Sequence, residues 1–196
     1  MNAPTWPDHL LSLAEWDELP LDSFGHYELA DGVVWAPPPP TPHHQVARAN
    51  LMVALNLQLP STLGATQDSE VVIDASFPPT VRAPDVAVMS KSVCRSDEPH
   101  VDASEVLLAV EIISPGTGRL DRILKAVEYA GAGIPYYWVI DLTPPASLTT
   151  LTLVGPEYEV TEKATGLITL SEPATITVDV SKLTEDDYVD HVRRAR

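Results

Sequence analysis

Val106 to Asp141 reads VLLAVEIISPGTGRLDRILKAVEYAGAGIPYYWVID, and it has the pattern of one complete β-loop-α-β unit. Val106 to Ile113 is an apolar run of strand length interrupted only by Glu111, the pattern of a strand covered on both faces. Ser114 to Gly118 breaks the run. From Leu120 to Ala132 the apolar residues Leu120, Ile123, Leu124, Val127 and Ala130 recur at helical spacing, and Gly131 with Gly133 supplies the stop. Tyr136 to Ile140 is a second apolar strand, with Asp141 at its exit. A crossover of this length predicts a right-handed connection and parallel pairing of the two strands.

Working outward, Ser12-Leu13-Ala14-Glu15 fits a capping box at the head of a short helix with Leu13, Trp16 and Leu19 as its apolar stripe. Tyr27 to Trp35 is a hairpin signal, because Asp31-Gly32 between short apolar runs suits a two-residue type I′ turn. Glu28 lies on its first strand. Pro37 to Pro40 can only be an extended spacer. His43 to Leu59 carries Val46, Ala49, Val53 and Leu57 at helical spacing and ends before Pro60. Adjacent helix residues point about 100° apart and no further histidine stands at i+4, so His43 and His44 read as a surface pair at the helix start rather than as metal ligands.

Short strands follow at Glu70 to Asp74 and Asp85 to Met89, and Lys91 to Asp102 reads as a polar loop. Beyond Asp141, Ser147 to Val154, Tyr158 to Lys163, Leu167 to Leu170 and Thr175 to Asp179 read as an antiparallel meander. Val180 to Tyr188 adds a last helical turn before the basic tail Arg193 to Arg196. There is no internal repeat.

The 196 residues, 44% of them hydrophobic, suit a single domain with a core spanning about 10–190. No run approaches a membrane span, and Met1 to Leu21 lacks the build of a secretory signal, so the expected compartment is the cytoplasm. The single cysteine, Cys94, reads as an ordinary residue. Twelve Lys+Arg against 28 Asp+Glu give a net charge of -16, which opposes non-specific adhesion to nucleic acid or anionic membrane.

The chemistry lies in where the acids fall. Asp85 opens one apolar strand and Glu111 closes the next, so antiparallel pairing of the two brings both carboxylates to one end of the sheet. Converging carboxylates repel unless one is protonated or a cation lies between them. Two acid oxygens, a backbone carbonyl and waters are a donor set that Mg²⁺ accepts. Asp121, Lys125 and Tyr129 stand at i, i+4 and i+8 on one stripe of the crossover helix, which can lean toward Glu111. Lys125 there either stabilises charge on a phosphate or is an exposed partner of Asp121.

Ala83-Pro84-Asp85-Val86-Ala87, Val110-Glu111-Ile112-Ile113-Ser114-Pro115, Asp121 with Lys125 and Tyr129, Gly133-Ile134-Pro135 and Tyr137 to Asp141 together resemble the Uma-two family of restriction endonucleases. That family is a branch of the PD-(D/E)XK nuclease superfamily. The hairpin with Tyr27-Glu28-Leu29 and Asp31-Gly32 extends the resemblance to about residue 10. It implies an α/β fold, a restriction-endonuclease-like core with a mixed central sheet, an N-terminal hairpin and the C-terminal meander. It also implies Mg²⁺, with Mn²⁺ as a substitute, at Asp85 and Glu111, and Glu28 as an accessory acid.

One departure is plain. The superfamily lysine stands two residues after the second acid, where this chain has Ile113, and the resemblance implies that Lys125 has taken over that role. Gly116-Thr117-Gly118 lacks the residues of a phosphate cradle and reads as turn chemistry. The implied activity is metal-dependent hydrolysis of phosphodiester bonds in nucleic acid, DNA first, bound weakly; a homodimer suits the cutting of two strands. The charge keeps two alternatives open: a non-catalytic interaction module on the same fold, and a hydrolase of a small phosphorylated substrate.

Overall fold

The structure, a computed structural model, describes residues 7–19, 27–113 and 119–195, with the backbone alone at 119–122. Helix α1 (Leu13–Asp17) opens on the expected capping box, Ser12 and Glu15 each accepting from the other's backbone amide. Strands β1 (Glu28–Ala30) and β2 (Val33–Trp35) form the hairpin, and Asp31 (φ 48°) and Gly32 (φ 74°) both take the left-handed conformation that a type I′ turn requires. Helix α2 (Pro42–Gln58) starts at the N-cap Thr41, whose side chain accepts from the His44 amide.

The next five strands are β3 (Leu63–Thr66), β4 (Val71–Asp74), β5 (Thr80–Arg82), β6 (Val86–Ser90) and β7 (Val101–Asp102). The central unit then follows as read: β8 (Val106–Ile113), α3 (Arg119–Gly131) and β9 (Tyr136–Asp141). Strands β10 (Ser147–Val154), β11 (Glu157–Ala164), β12 (Leu167–Leu170) and β13 (Ile176–Asp179) precede the final helix α4 (Tyr188–Arg194).

The main sheet is six-stranded and mixed, in the order β11-β10-β9-β8-β6-β3. β8 and β9 pair in parallel, and β6 and β8 pair antiparallel with Val86 opposite Val110. A second, five-stranded sheet runs β2-β1-β5-β4-β7. The centre of the main sheet is covered on both faces. Leu108, Val110 and Ile112 pack into one apolar cluster with Leu51, Leu55, Trp138 and Tyr188, while Ala109 joins Tyr129, Ile134 and Tyr137 on the other side. This double burial is why Val106 to Ile113 reads as an almost unbroken apolar run.

Four expectations need correction. The C-terminal strands are not one meander: β10 and β11 extend the main sheet, whereas β12 and β13 form a separate pair. Ile176 and Val178 belong to the cluster that lies against α2, so their apolar face is satisfied there rather than at the sheet edge. The basic tail is helical through Arg194, because Tyr188 and Val192, four residues apart, are both buried. The loop from Lys91 holds a short 3₁₀ turn at Val93–Arg95 and ends in β7, which pairs in parallel with β4.

The fourth correction concerns which side of each long helix is buried. In α2 the inward residues are His44, Ala47, Leu51, Ala54 and Leu55, while Val46, Val53 and Leu57 face outward. In α3 the inward residues include Lys125, Tyr129 and Ala130, while Ile123, Leu124 and Val127 are exposed. Both helices therefore carry a second apolar stripe on the outside. The buried polar residues are selected by what they meet at the end of the sheet. The expected turn at Ser114 to Gly118, the Asp121 side chain and Arg196 lie outside the described residues.

Candidate active site

The antiparallel register of β6 and β8 places Asp85, one residue before β6, beside the segment that carries Glu111 and Ile112. Asp85 Oδ2 accepts a hydrogen bond from the Ile112 amide at 2.7 Å. The convergence expected from the two strand ends is present, and Asp85 is close enough to act electrostatically on Glu111. Glu111 Oε1 accepts from Lys125 Nζ at 3.1 Å and from the Tyr129 hydroxyl at 2.7 Å. Lys125 Nζ also donates to Glu28 Oε1 at 2.9 Å. The structure thus brings Asp85, Glu111, Lys125 and Glu28 to one place.

Lys125 is only 7% exposed, so it does not stand on a solvated surface. A buried ammonium is tolerable here because carboxylates flank it. Glu28, itself 1% exposed, is held in turn by Arg82 Nη1 at 2.8 Å and the Ala83 amide at 3.2 Å. Arg82 then reaches Glu128 of α3 with Nε at 2.8 Å and Nη2 at 2.7 Å, a two-pronged contact suited to guanidinium geometry. A chain of alternating charge therefore ties the hairpin sheet to α3 and fixes where Lys125 points. Arg82→Ala strands two carboxylates, one of them deeply buried, and is expected to cost about 3–5 kcal/mol in denaturant unfolding.

The environments push these groups in different directions. Burial raises the Glu111 carboxyl, Lys125 opposes that, and the charges of Asp85 and Glu28 raise it further, leaving it at about 7. Burial acts on Glu28 in the same sense, but Lys125 and Arg82 win and hold it below the usual carboxylate value. Tyr129 is lifted well above an ordinary phenol by burial and by Glu111, so it remains a donor. A carboxylate that resists ionisation beside another acid, with no polar group to share its remaining oxygen among the described hydrogen bonds, is chemically suited to a cation. The donors at hand are hard oxygens, the kind Mg²⁺ takes.

Histidine 44 is the residue that the sequence reading missed. His43 is exposed as expected, but His44 is 6% exposed, with Nε2 at 2.9 Å from the Ile112 carbonyl oxygen and 3.2 Å from Asp85 Oδ2. Burial works against its protonation, yet the bond to Asp85, its charge and the Ile112 carbonyl carry the imidazole above its usual value. Its Nδ1 is buried with no hydrogen-bond partner among the described residues. One turn further along α2, Arg48 binds Asp68 and approaches Asp85 Oδ1 at 4.0 Å. The signal for His44 was its place on the stripe with Ala47, Leu51, Ala54 and Leu55, one of two apolar stripes that the helix offered. Nothing local pointed to Arg82 or Glu128.

Among the described residues no cluster of three or more His, Cys, Asp or Glu side chains is arranged to hold a metal ion. Cys94 is a free thiol that burial pushes up, consistent with an inert role. No helix among the described residues is long and apolar enough to cross a membrane.

The crystal structure of "a putative nuclease belonging to DUF820" from Anabaena variabilis ATCC 29413 superposes with a TM-score of 0.70 at 17% identity, covering 91% of this chain and 99% of that one. At that identity the likeness is one of fold alone: the two chains share this mixed α/β architecture. No curated protein matches the chain significantly. The sequence itself matches the family Uma2 over residues 13–186, a span that includes β1, both strand-end acids, α3 and the parallel pair β8 and β9. The chain therefore belongs to the Uma2 family, described as "Putative restriction endonuclease".

Proposed function

We propose that this protein is a divalent-metal-dependent nuclease, one domain over its 196 residues, that hydrolyses phosphodiester bonds in nucleic acid. The observation that carries the reading is the buried Lys125 Nζ shared between Glu28 and Glu111 beside Asp85. Asp85 and Glu111 are the metal-holding carboxylates. The Ile112 carbonyl, within reach of the same His44 nitrogen as Asp85, is a third oxygen at the site. Mg²⁺, for which Mn²⁺ substitutes, supplies when bound a lowered pKa for a coordinated water and positive charge beside the reacting phosphate.

The chain's own residues do the rest. Lys125 donates to a phosphate oxygen as charge develops on it. Glu28 is the accessory acid that, backed by Arg82, holds that ammonium in place. Tyr129 fixes one oxygen of Glu111, and His44 orients Asp85 and the Ile112 carbonyl. DNA is the expected substrate, the cytoplasm the expected setting, and a homodimer the expected assembly.

The test is a Mg²⁺ and Mn²⁺ titration against single-stranded DNA, duplex DNA and RNA at low salt. Cleavage that needs the metal supports the reading. A protein that binds partners but cleaves nothing is the non-catalytic module favoured by the net charge of -16, and cleavage confined to small phosphodiesters identifies the third reading. Binding to DNA is expected to be weak. With about two phosphate contacts, raising salt about fourfold weakens it about tenfold. Tight binding at physiological salt without metal contradicts this charge argument.

A further inference from the structure

The hairpin that contributes Glu28 has two different faces. Leu29 and Val34 pack inward with Leu11, Trp16 and Val81. By strand alternation Glu28, Ala30, Val33 and Trp35 belong to the opposite face. Glu28 and Trp35 are directly paired across β1 and β2. Side chains at paired positions of an antiparallel ladder point the same way with their Cβ atoms about 5 Å apart. The indole therefore stands beside the carboxylate that holds Lys125. Glu28 is 1% exposed, whereas Trp35 is 54% exposed and Val33 on the same face 55%. After Trp35 the chain runs through Pro37 to Pro40 into α2, which returns at its first turn to place His44 on Asp85. Trp35 thus lies at the rim of the candidate site, on a stretch whose two ends are both anchored in it.

Trp35 leaves a large aromatic surface open on an edge strand beside the carboxylate that holds Lys125, where a ligand of that site can reach it. A chain of net charge -16 gains little from a nucleic-acid backbone beyond the few contacts at the site, so a contact that does not depend on opposite charge adds affinity that the backbone does not supply. Stacking of a base on an indole is such a contact, and it needs a base free of its neighbours.

We infer that Trp35 is a stacking platform for an unpaired nucleobase flanking the phosphate addressed by Lys125, so that the site prefers single-stranded over duplex nucleic acid. This inference rests on the nuclease reading above. Val33, two residues earlier on the same face, extends the apolar shelf beside the ring. Recognition by stacking carries little base specificity, since every base has a π-face.

The test uses a short fluorescent oligothymidylate, its duplex with the complementary strand, and the same oligonucleotide carrying one abasic residue. Binding is read by anisotropy in metal-free, low-salt buffer, and cleavage is read with Mg²⁺. Trp35→Ala is expected to weaken binding of the single strand roughly tenfold to a hundredfold, raising KM with kcat nearly unchanged, while Trp35→Phe stays within about threefold of the parent. Duplex binding is expected to move by less than about twofold. The abasic oligonucleotide should bind the parent more weakly than the intact one but bind Trp35→Ala no worse than the intact one does, because the contact is already gone. Unchanged binding and KM in Trp35→Ala, on a parent that cleaves the oligonucleotide, overturns the stacking role and leaves the nuclease reading standing. A parent that neither binds nor cleaves any of the three probes removes both.

Discussion

Lys125→Ala is expected to cut turnover by roughly a hundredfold or more while leaving divalent-metal affinity nearly unchanged, since the loss falls on charge that develops only as the phosphate reacts. The structure adds a cost in stability. Lys125 is 7% exposed and is shared by Glu28 and Glu111, so its removal leaves the buried Glu28 and the partly buried Glu111 face to face without their common cation. Breaking such a buried arrangement costs about 3–5 kcal/mol, readable as a fall in the urea midpoint. Activity is therefore compared at a temperature where both proteins are folded. Lys125→Arg keeps the charge and separates the two effects: stability largely recovers, and turnover stays low if the ammonium geometry matters.

Ile113 offers a second control. It lies two residues after Glu111 on β8, so both side chains leave the same face of the strand. A lysine there restores the spacing usual in the superfamily. Regained activity in Lys125→Ala/Ile113→Lys places both ammonium groups at one phosphate. Full activity in Lys125→Ala alone removes this lysine from the chemistry and favours the non-catalytic or small-substrate reading.

The two strand-end acids are expected to respond oppositely in stability, although both are proposed to hold the metal. Calorimetry should detect a divalent cation that is lost in Asp85→Ala and in Glu111→Gln, with turnover falling by about a thousandfold or more. Binding that survives both changes defeats the metal assignment. In metal-free buffer Asp85→Ala is expected to cost about 1–3 kcal/mol, because the Ile112 amide loses its acceptor at 2.7 Å.

Glu111→Gln should behave differently, and the sign follows from linkage. The folded-state pKa of Glu111 is about 7 against an ordinary value of 4.5. Between these values the unfolded chain has already released a proton that the folded protein keeps, so the contribution of Glu111 to stability falls as pH rises through this window. Glutamine carries no such proton. Relative to the parent, Glu111→Gln gains about 1–3 kcal/mol as pH rises from about 4.5 to about 7 and is level above that. A variant that instead loses ground as pH rises shows that Lys125 and Tyr129 stabilise the carboxylate more than burial penalises it.

Much of the architecture was written locally. The apolar run around Glu111, the glycine stop after α3, the Asp31-Gly32 turn and the capping box at Ser12 each depend on residues a few positions apart, and each formed as read. The meeting of Asp85 with the Glu111 strand end was equally legible, because antiparallel neighbours bring the start of one strand to the end of the next. Which stripe of a helix turns inward was not legible this way. Both α2 and α3 carry two candidate faces, and periodicity ranks them by hydrophobicity alone, which favoured Val46 and Val53 in one and Ile123 and Val127 in the other. The fold buried His44 in α2 and, in α3, the stripe with Lys125 and Tyr129 that reads as able to lean toward Glu111. The reason is charge: carboxylates gathered at the end of a covered sheet must be matched by donors, and those donors come from wherever the chain returns. Lys125 meets Glu28 across 97 positions and Arg82 meets Glu28 across 54. No local pattern encodes a contact of that span, so the ion network, the buried histidine and the exposed Trp35 beside them were decided only when the two sheets and two helices came together around the same strand ends.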